Sequence, residues 1–213
     1  MGQKVDDTRH RLLEAAGEIF AEKGFQKATV REICDRAGAN IAAVNYHFRD
    51  KERLYIEVIQ HAHHCGTEDP LPEWPPGTAP TVKLQEYIRR MLTRMLDERR
   101  PAWHAQLMVR EMTEPTEACV ALVESYLRPR YDRLDEILAE LVSAETSAAD
   151  RHLIAFSIVG QCLHFKALRP IGPLLVGEAE YGTYDVTRLA NHIAQFSLAA
   201  LGHGKPPWPR PDR

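Results

Sequence analysis

The sequence is poor in the features that would tie it to a disulfide scaffold, a membrane or a catalytic fold. Its 213 residues hold four cysteines, at 34, 65, 119 and 162, widely spaced and with no Cys-x-x-Cys pair, so they read as buried thiols and not as a disulfide framework. No run of about 18 apolar residues occurs, and the opening MGQKVDDTRHRLLEAAGEIF lacks the apolar segment and small-residue cleavage site of a secretory signal. A cytoplasmic protein without membrane contact is expected. The G-x-S-x-G, H-E-x-x-H, P-loop and dinucleotide-binding patterns are missing, which argues against an enzyme and gives no reason to expect a cofactor. There is no excess of positive charge either, with 27 Lys and Arg against 30 Asp and Glu. With a net charge of −3 the chain is no general polyanion binder, and any nucleic-acid contact must come from a local surface.

What is present is helical periodicity. From Thr8 to Lys23, Leu12, Ala16, Ile19 and Phe20 share one 3.6-residue stripe while Glu14, Glu18 and Glu22 face away. Gly24 supplies the residue that ends such a helix, and Phe25 is placed to fold back on the last turn. Thr29-Val30-Arg31-Glu32 is a capping box that starts a second helix, with Val30, Ile33, Cys34 and Ala37 inward. Gly38 stops it. Asn40 can cap a third helix through Phe48, and Asp50 a fourth through KERLYIEVIQHAHHC. The three residues between the second and third helices make the short, Gly-containing connection of a helix-turn-helix, although two short helices around a glycine also occur in plain bundles.

Residues 67–80, TEDPLPEWPPGTAP, carry five prolines and a glycine and read as a loop. Helical segments resume at 81–99, 101–113, 115–142, 147–169 and 185–201. In the third of these, Leu127, Tyr131, Leu134, Leu138 and Leu141 form a core stripe, while Pro129 is expected to kink or split the helix. The fold class is all-α. A helix-turn-helix domain at 1–50 joins a larger helical bundle at 51–204, and a proline-rich tail at 205–213 is expected to fray.

The stretch LLEAAGEIFAEKGFQKATVREICDRAGANIAAVNYHFRDKERLY resembles the DNA-binding domain of the TetR family of bacterial transcriptional regulators: an amphipathic first helix, Gly-Phe, a Thr-capped second helix, Ala-Gly, and a recognition helix ending in His-Phe before a Lys-Glu pair. Family members more usually read Leu-Tyr-x-His-Phe; here Asn45 takes the tyrosine position and an aromatic moves to Tyr46. The wording NIAAVNYHF, with REMTEPT at 110–116, resembles the CecR-like subgroup.

The candidate DNA-contacting residues are Thr29, Arg31, Asn40, Ile41, Ala42, Ala43, Asn45, Tyr46, His47 and Lys51. On a helical wheel Ala42, Ala43 and Tyr46 face outward, and the two alanines let the backbone approach the groove. Asn45 can pair with adenine N6 and N7, while Tyr46, His47, Thr29 and Lys51 can hold phosphates. His47 can alternatively cap the last carbonyls of its own helix. The wheel turns Ile41 inward with Val44 and Phe48, whereas the resemblance places it at the DNA. Residues 1–60 hold ten basic and ten acidic side chains, so the DNA side must be positive through Lys27, Arg31, Arg49, Lys51 and Arg53, and two half-sites are needed. A dimer on a palindromic operator is expected.

For the bundle, the resemblance implies dimerisation and a small, apolar or aromatic effector that shifts the protein to a DNA-incompetent state. Candidate interface residues, drawn from segments apolar on more than one face, are Ile154, Ile158, Leu189, Ile193 and Phe196. Candidate effector residues are Met95, Trp103, His104, Met108, Arg110, Met112, Gln161, His164 and Phe165, a mixture of thioethers, aromatics and a few polar groups, many of which can equally be core. Repression is the family default. A rival reading makes the regulator metal-responsive through His61, His63, His64 and Cys65, whose i, i+3 and i+4 spacings bring ligands together on a helix. An enzyme active site in the bundle is the second, weaker rival.

Overall fold

The computed structural model describes residues 2–64 and 70–208, with the side chains of 2–6, 63 and 64 left aside. The described residues contain twelve α-helices and one π-helical turn, and no strand. They divide into two compact units, residues 1–69 with 98–128, and 70–97 with 129–213.

The first unit contains α1 (Gly2–Lys27), α2 (Val30–Ala37), α3 (Ile41–Phe48), α4 (Lys51–His64), α6 (Ala102–Thr113) and α7 (Glu117–Leu122). The start signals read from the sequence are the ones used. Thr29 accepts from the Glu32 amide while the Glu32 carboxylate accepts from the Thr29 amide, closing the capping box. Gly38 ends α2 at φ 60°, ψ 41°, a left-handed conformation that costs a glycine little. Asn40 accepts from the Ala43 amide to start α3, and Asp50 from the Arg53 amide to start α4. Within α1 the helix is broken at Gly24 (φ 75°, ψ 168°), and Phe25 then packs on the rings of Phe20 and Tyr55.

One continuous core holds these helices together. Leu12, Ala16, Ile19 and Phe20 of α1 meet Ile33 and Ala37 of α2, Val44 and Phe48 of α3, Leu54, Val58 and Ile59 of α4, and Trp103 and Leu107 of α6. Each fully buried Leu, Ile or Phe contributes about 1.5–3 kcal/mol of hydrophobic stabilisation. Trp103 lies so close over α1 that a Cβ on Gly17 would sit 2.5 Å from its ring. The helix at 51–64 and the segment 102–122, grouped with the bundle in the sequence division at residue 50, therefore pack in the same compact unit as the helix-turn-helix.

The second unit contains α5 (Pro80–Met95), α8 (Arg128–Leu141, counted here from Pro129), α9 (Ala148–Ala167), the short α10 (Gly172–Val176) and α11 (Glu178–Tyr181), and α12 (Val186–Ala200). Pro80 takes the first position of α5, where its missing N–H costs nothing. Leu84, Ile88 and Leu92 of α5, Leu134, Ile137, Leu138 and Leu141 of α8, Ile158 and Cys162 of α9, and Leu189 and Ile193 of α12 form its core. The 115–142 segment is not one helix. A π-helical turn at Val123–Leu127 separates α7 from α8. The Arg128 amide reaches back to the Val123 carbonyl, widening the helix just before Pro129, whose ring would otherwise crowd the carbonyl four residues earlier. The extra residue shifts the helical phase, so Leu127 drops off the stripe and is exposed while Leu134, Leu138 and Leu141 stay buried.

The expected thiols are free: Cys34 and Cys162 are buried, Cys119 is half-buried, and Cys65 lies outside the described residues. Burial pushes the Cys162 thiol up to about 12. Part of the tail is packed, since the Trp208 ring lies 5.8 Å from that of Phe196; residues 209–213 are outside the described ones. No described helix is long and apolar enough to cross a membrane.

Candidate nucleic-acid interface

The candidate interface is the outer face of α3 with the start of α2. Val44 and Phe48 are buried and fasten α3 to the core, which turns Ala42, Asn45 and Tyr46 to the surface, Tyr46 being 77% exposed. Ile41 is also exposed, at 52%, with the outward face and not with the inward set of the wheel. It shares an angular position with Phe48, but seven residues separate them, about 10 Å along the axis, and it lies at the edge of the core. Ala43 departs from the wheel in the other direction: it is half-buried and packs against the core. His47 is half-buried between the rings of Tyr46 and Phe48, with centroids at 5.0 and 6.0 Å. Asn40, Thr29 and Arg31 are exposed. The Asn40 side chain and the Thr29 hydroxyl are already engaged as helix caps, the latter also donating to Glu32 at 2.9 Å.

The charges around this face are sorted by pairing. Lys23 pairs with Glu32 at 2.7 Å, Arg36 with Glu18 at 3.2 Å, and Arg9 with Glu57. The Lys23 ammonium, with the Thr29 hydroxyl and amide, holds the Glu32 carboxyl down to about 2. Lys51 is less available than its type suggests. Its ammonium lies 4.6 Å from the Phe25 ring centre and 3.5 Å from the Gln26 carbonyl, and burial lowers its pKa. Arg49 closes α3 at φ 78° and is exposed, as are Lys27, Arg31 and Arg53.

The candidate effector residues fall into two groups. Trp103, His104, Met108, Arg110 and Met112 belong to the first unit; Met95, Gln161, His164 and Phe165 belong to the second. Trp103 and His104 are core residues and Met108 packs beside them, whereas Met112 is 65% exposed. Burial pulls the His104 imidazole down to about 4 and keeps it neutral. Arg110 lines a cleft of about 660 Å³ with Lys23, Phe25, Tyr55, Glu111 and Thr116, and pairs with Glu114 at 3.6 Å. Buried Glu111 anchors that cleft by accepting from the Tyr55 hydroxyl and the Thr116 amide. In the second unit Met95 and Phe165 pack on the core, Gln161 is half-buried and His164 is exposed.

The candidate interface residues need correction. Ile158, Leu189 and Ile193 are buried in the chain's own core and Ile154 packs against it, so of that set only Phe196 offers an exposed apolar surface. A helix apolar on two faces had one of them filled by its own unit. Leu153 and Phe156, one turn apart on α9, are 64% and 60% exposed.

Two family models match this chain. Residues 12–58 match the bacterial regulatory proteins of the TetR family, and residues 80–201 match the C-terminal domain of the HTH-type transcriptional dual regulator CecR. The chain belongs to the TetR family, with a CecR-type C-terminal domain. It is 26% identical over 175 residues to the dual regulator CecR of Shigella flexneri, covering 76% of this chain and 77% of that one. It is 40% identical over 59 residues to the repressor AcnR of Corynebacterium efficiens, covering 28% and 31%. A TetR-like transcriptional regulator from Rhodococcus sp. RHA1 shares the fold, with a TM-score of 0.59 at 21% identity over 92% of this chain and 96% of that one. This TetR-family regulator therefore has transcription regulators and not enzymes as its relatives. The comparisons give no support to the metal-responsive alternative built on residues 61–65; His61 is paired with Glu14 at 2.9 Å, while the side chains of His63 and His64, and Cys65, lie outside the described residues.

Proposed function

We propose that this TetR-family regulator is a cytoplasmic one-component repressor. As a homodimer it binds a palindromic operator through the exposed face of α3 and is released by a small apolar or aromatic effector. The observation that carries the reading is the exposed set Ile41, Ala42, Asn45 and Tyr46 on a helix capped by Asn40 and fastened by buried Val44 and Phe48. Such a face brings methyl groups and one bidentate amide to base edges. Arg31, Arg49, Arg53 and Lys27 surround it with phosphate-binding charge, while Lys51 supports the α1–α4 junction more than it reaches outward. Leu153, Phe156 and Phe196 are the surface on which a second copy would pack. For the effector, the cleft at Arg110, Tyr55 and Glu111 is favoured within the first unit, because it combines volume with anchored polar groups.

The test is a footprint of the purified protein on DNA flanking its own gene, with and without candidate effectors. Protection of two symmetric half-sites, about 34 Å or a multiple apart, is the expected result. Uniform, sequence-independent protection at all concentrations would remove the operator reading. A relative is named as a dual regulator, so a promoter–reporter fusion read with and without the protein fixes the sign of the regulation, with reduced reporter output expected.

A further inference from the structure

We infer that His10, Glu14 and His61 form a binding site for a divalent transition metal, with zinc the best match to the donors. His10 and Glu14 are one turn apart on α1, and His61 faces them from α4. One ligand atom from each lies within 4.8 Å of the other two. Four-coordinate zinc with bonds of about 2.0–2.1 Å sets its ligand atoms roughly 3.3 Å apart, so side-chain rotation alone closes the set. Two imidazoles and one carboxylate, with a further position open, is a donor set zinc takes readily. Residues 63–65 are not needed, and the site does not depend on the DNA-binding reading.

The surroundings are those of a prepared site. The two Glu14 oxygens are divided: Oε2 accepts from the Trp103 indole at 3.3 Å and Oε1 faces His61 Nε2 at 2.9 Å. The indole fixes the carboxylate, as outer hydrogen bonds do for metal ligands. The His61 ring is held between His10, at 5.7 Å and nearly perpendicular, and Trp103, stacked at 6.4 Å. His61 also lines a cleft of about 440 Å³ that gives an ion a route in, and Arg9, one of the two arginines lining that cleft, is tied to Glu57. A second observation points the same way. His104 is 3% exposed, its ring lies 6.2 Å from that of His61, and neither of its nitrogens has a hydrogen-bond partner among the described residues. A buried imidazole without a partner is costly, and water held in the open position of an ion at this site would relieve it. Coordination through His61 Nε2 requires that any proton on that nitrogen move to Nδ1 or to solvent. The ion would staple α1 to α4.

The experiment uses chelator-treated full-length protein titrated with Zn²⁺ against a chromophoric competitor, then with Co²⁺ for its visible spectrum. One zinc per chain is expected, with His10→Ala and His61→Ala each weakening binding at least tenfold and Glu14→Gln weakening it as well. His10 is exposed, so His10→Ala leaves the fold intact and keeps the test decisive. Zinc should raise the Tm of the wild type and not that of His10→Ala, because only a ligand bound to the folded state stabilises it. The Co²⁺ protein should show four-coordinate d–d bands without sulfur charge transfer. Affinity unmoved by His10→Ala, a sulfur-to-cobalt band, or loss of binding in a His63→Ala/His64→Ala/Cys65→Ser variant would each overturn the assignment.

Discussion

Tyr55 on α4 donates its hydroxyl proton to the buried carboxylate of Glu111 on α6. Glu111 is 2% exposed and also accepts from the Thr116 amide and hydroxyl, so its charge rests on three donors from two separate stretches of chain. Burial, and then this bond, push the Tyr55 pKa up, so the phenol remains a donor at any physiological pH. Tyr55→Phe keeps the packing on Phe20 and Phe25 but strips one donor from a buried carboxylate. A loss of about 1–3 kcal/mol is expected in urea unfolding, with little change in slope.

Glu32 gives a pH-dependent prediction. Its folded pKa is lowered from 4.5 to about 2 by the Lys23 ammonium and the Thr29 cap. The stabilisation is therefore complete above 4.5 and fades as pH falls through about 2. Wild type should exceed Glu32→Gln in stability at pH 6, and the two curves should converge in acid. A gap that widens as pH falls would show that another group holds the cap.

Gly17→Ala adds a methyl 2.5 Å from the Trp103 ring, in a helix where alanine would otherwise be preferred. Overpacking should win, costing about 1–3 kcal/mol and shifting tryptophan fluorescence.

On DNA, Asn45→Ala should cost about 1–3 kcal/mol and relax preference at one base pair of each half-site. Arg31→Ala should instead weaken all sequences alike and reduce the slope of log K against log salt by about 0.9 per contact removed. Titrations of matched and mismatched operators at several salt concentrations separate the two.

Phe156→Glu puts charge on the exposed apolar face of α9 without entering the core. If that face joins two copies, sedimentation should show monomers and operator affinity should fall while helicity remains. A variant that sediments like wild type would move the interface elsewhere.

What the sequence made legible was local. Thr29 with Glu32, Gly38 and Asn40 each act on atoms within a few residues, so the helix boundaries around the turn follow from their chemistry. The π-helical turn at 123–127 left only Pro129 as its trace, because its phase shift depends on how the flanking helices are seated. The wheel alone turns Ile41 inward because it records angle and ignores height along the axis, whereas the family resemblance places it outward, where it is exposed. Ile158, Leu189 and Ile193 were apolar for the reason any core residue is, and periodicity does not say whose core a side chain fills. The Glu111 anchor had no signal beyond a lone acid in an amphipathic helix, since its partners, Tyr55 and Thr116, are brought to it only by folding.

The second helix is held at both ends by the first. Arg11 of α1 donates to the Ala37 carbonyl at the C-terminal end of α2, at 2.9 Å, and Lys23 grips Glu32 at the other end. Neither end can fray while these contacts persist, so α1 and α2 should exchange their amide hydrogens as one cooperative block. The scaffold behind the recognition helix would then open all together or not at all, and moderate salt, which loosens exposed ion pairs, would soften that block under the same conditions that weaken its hold on phosphate.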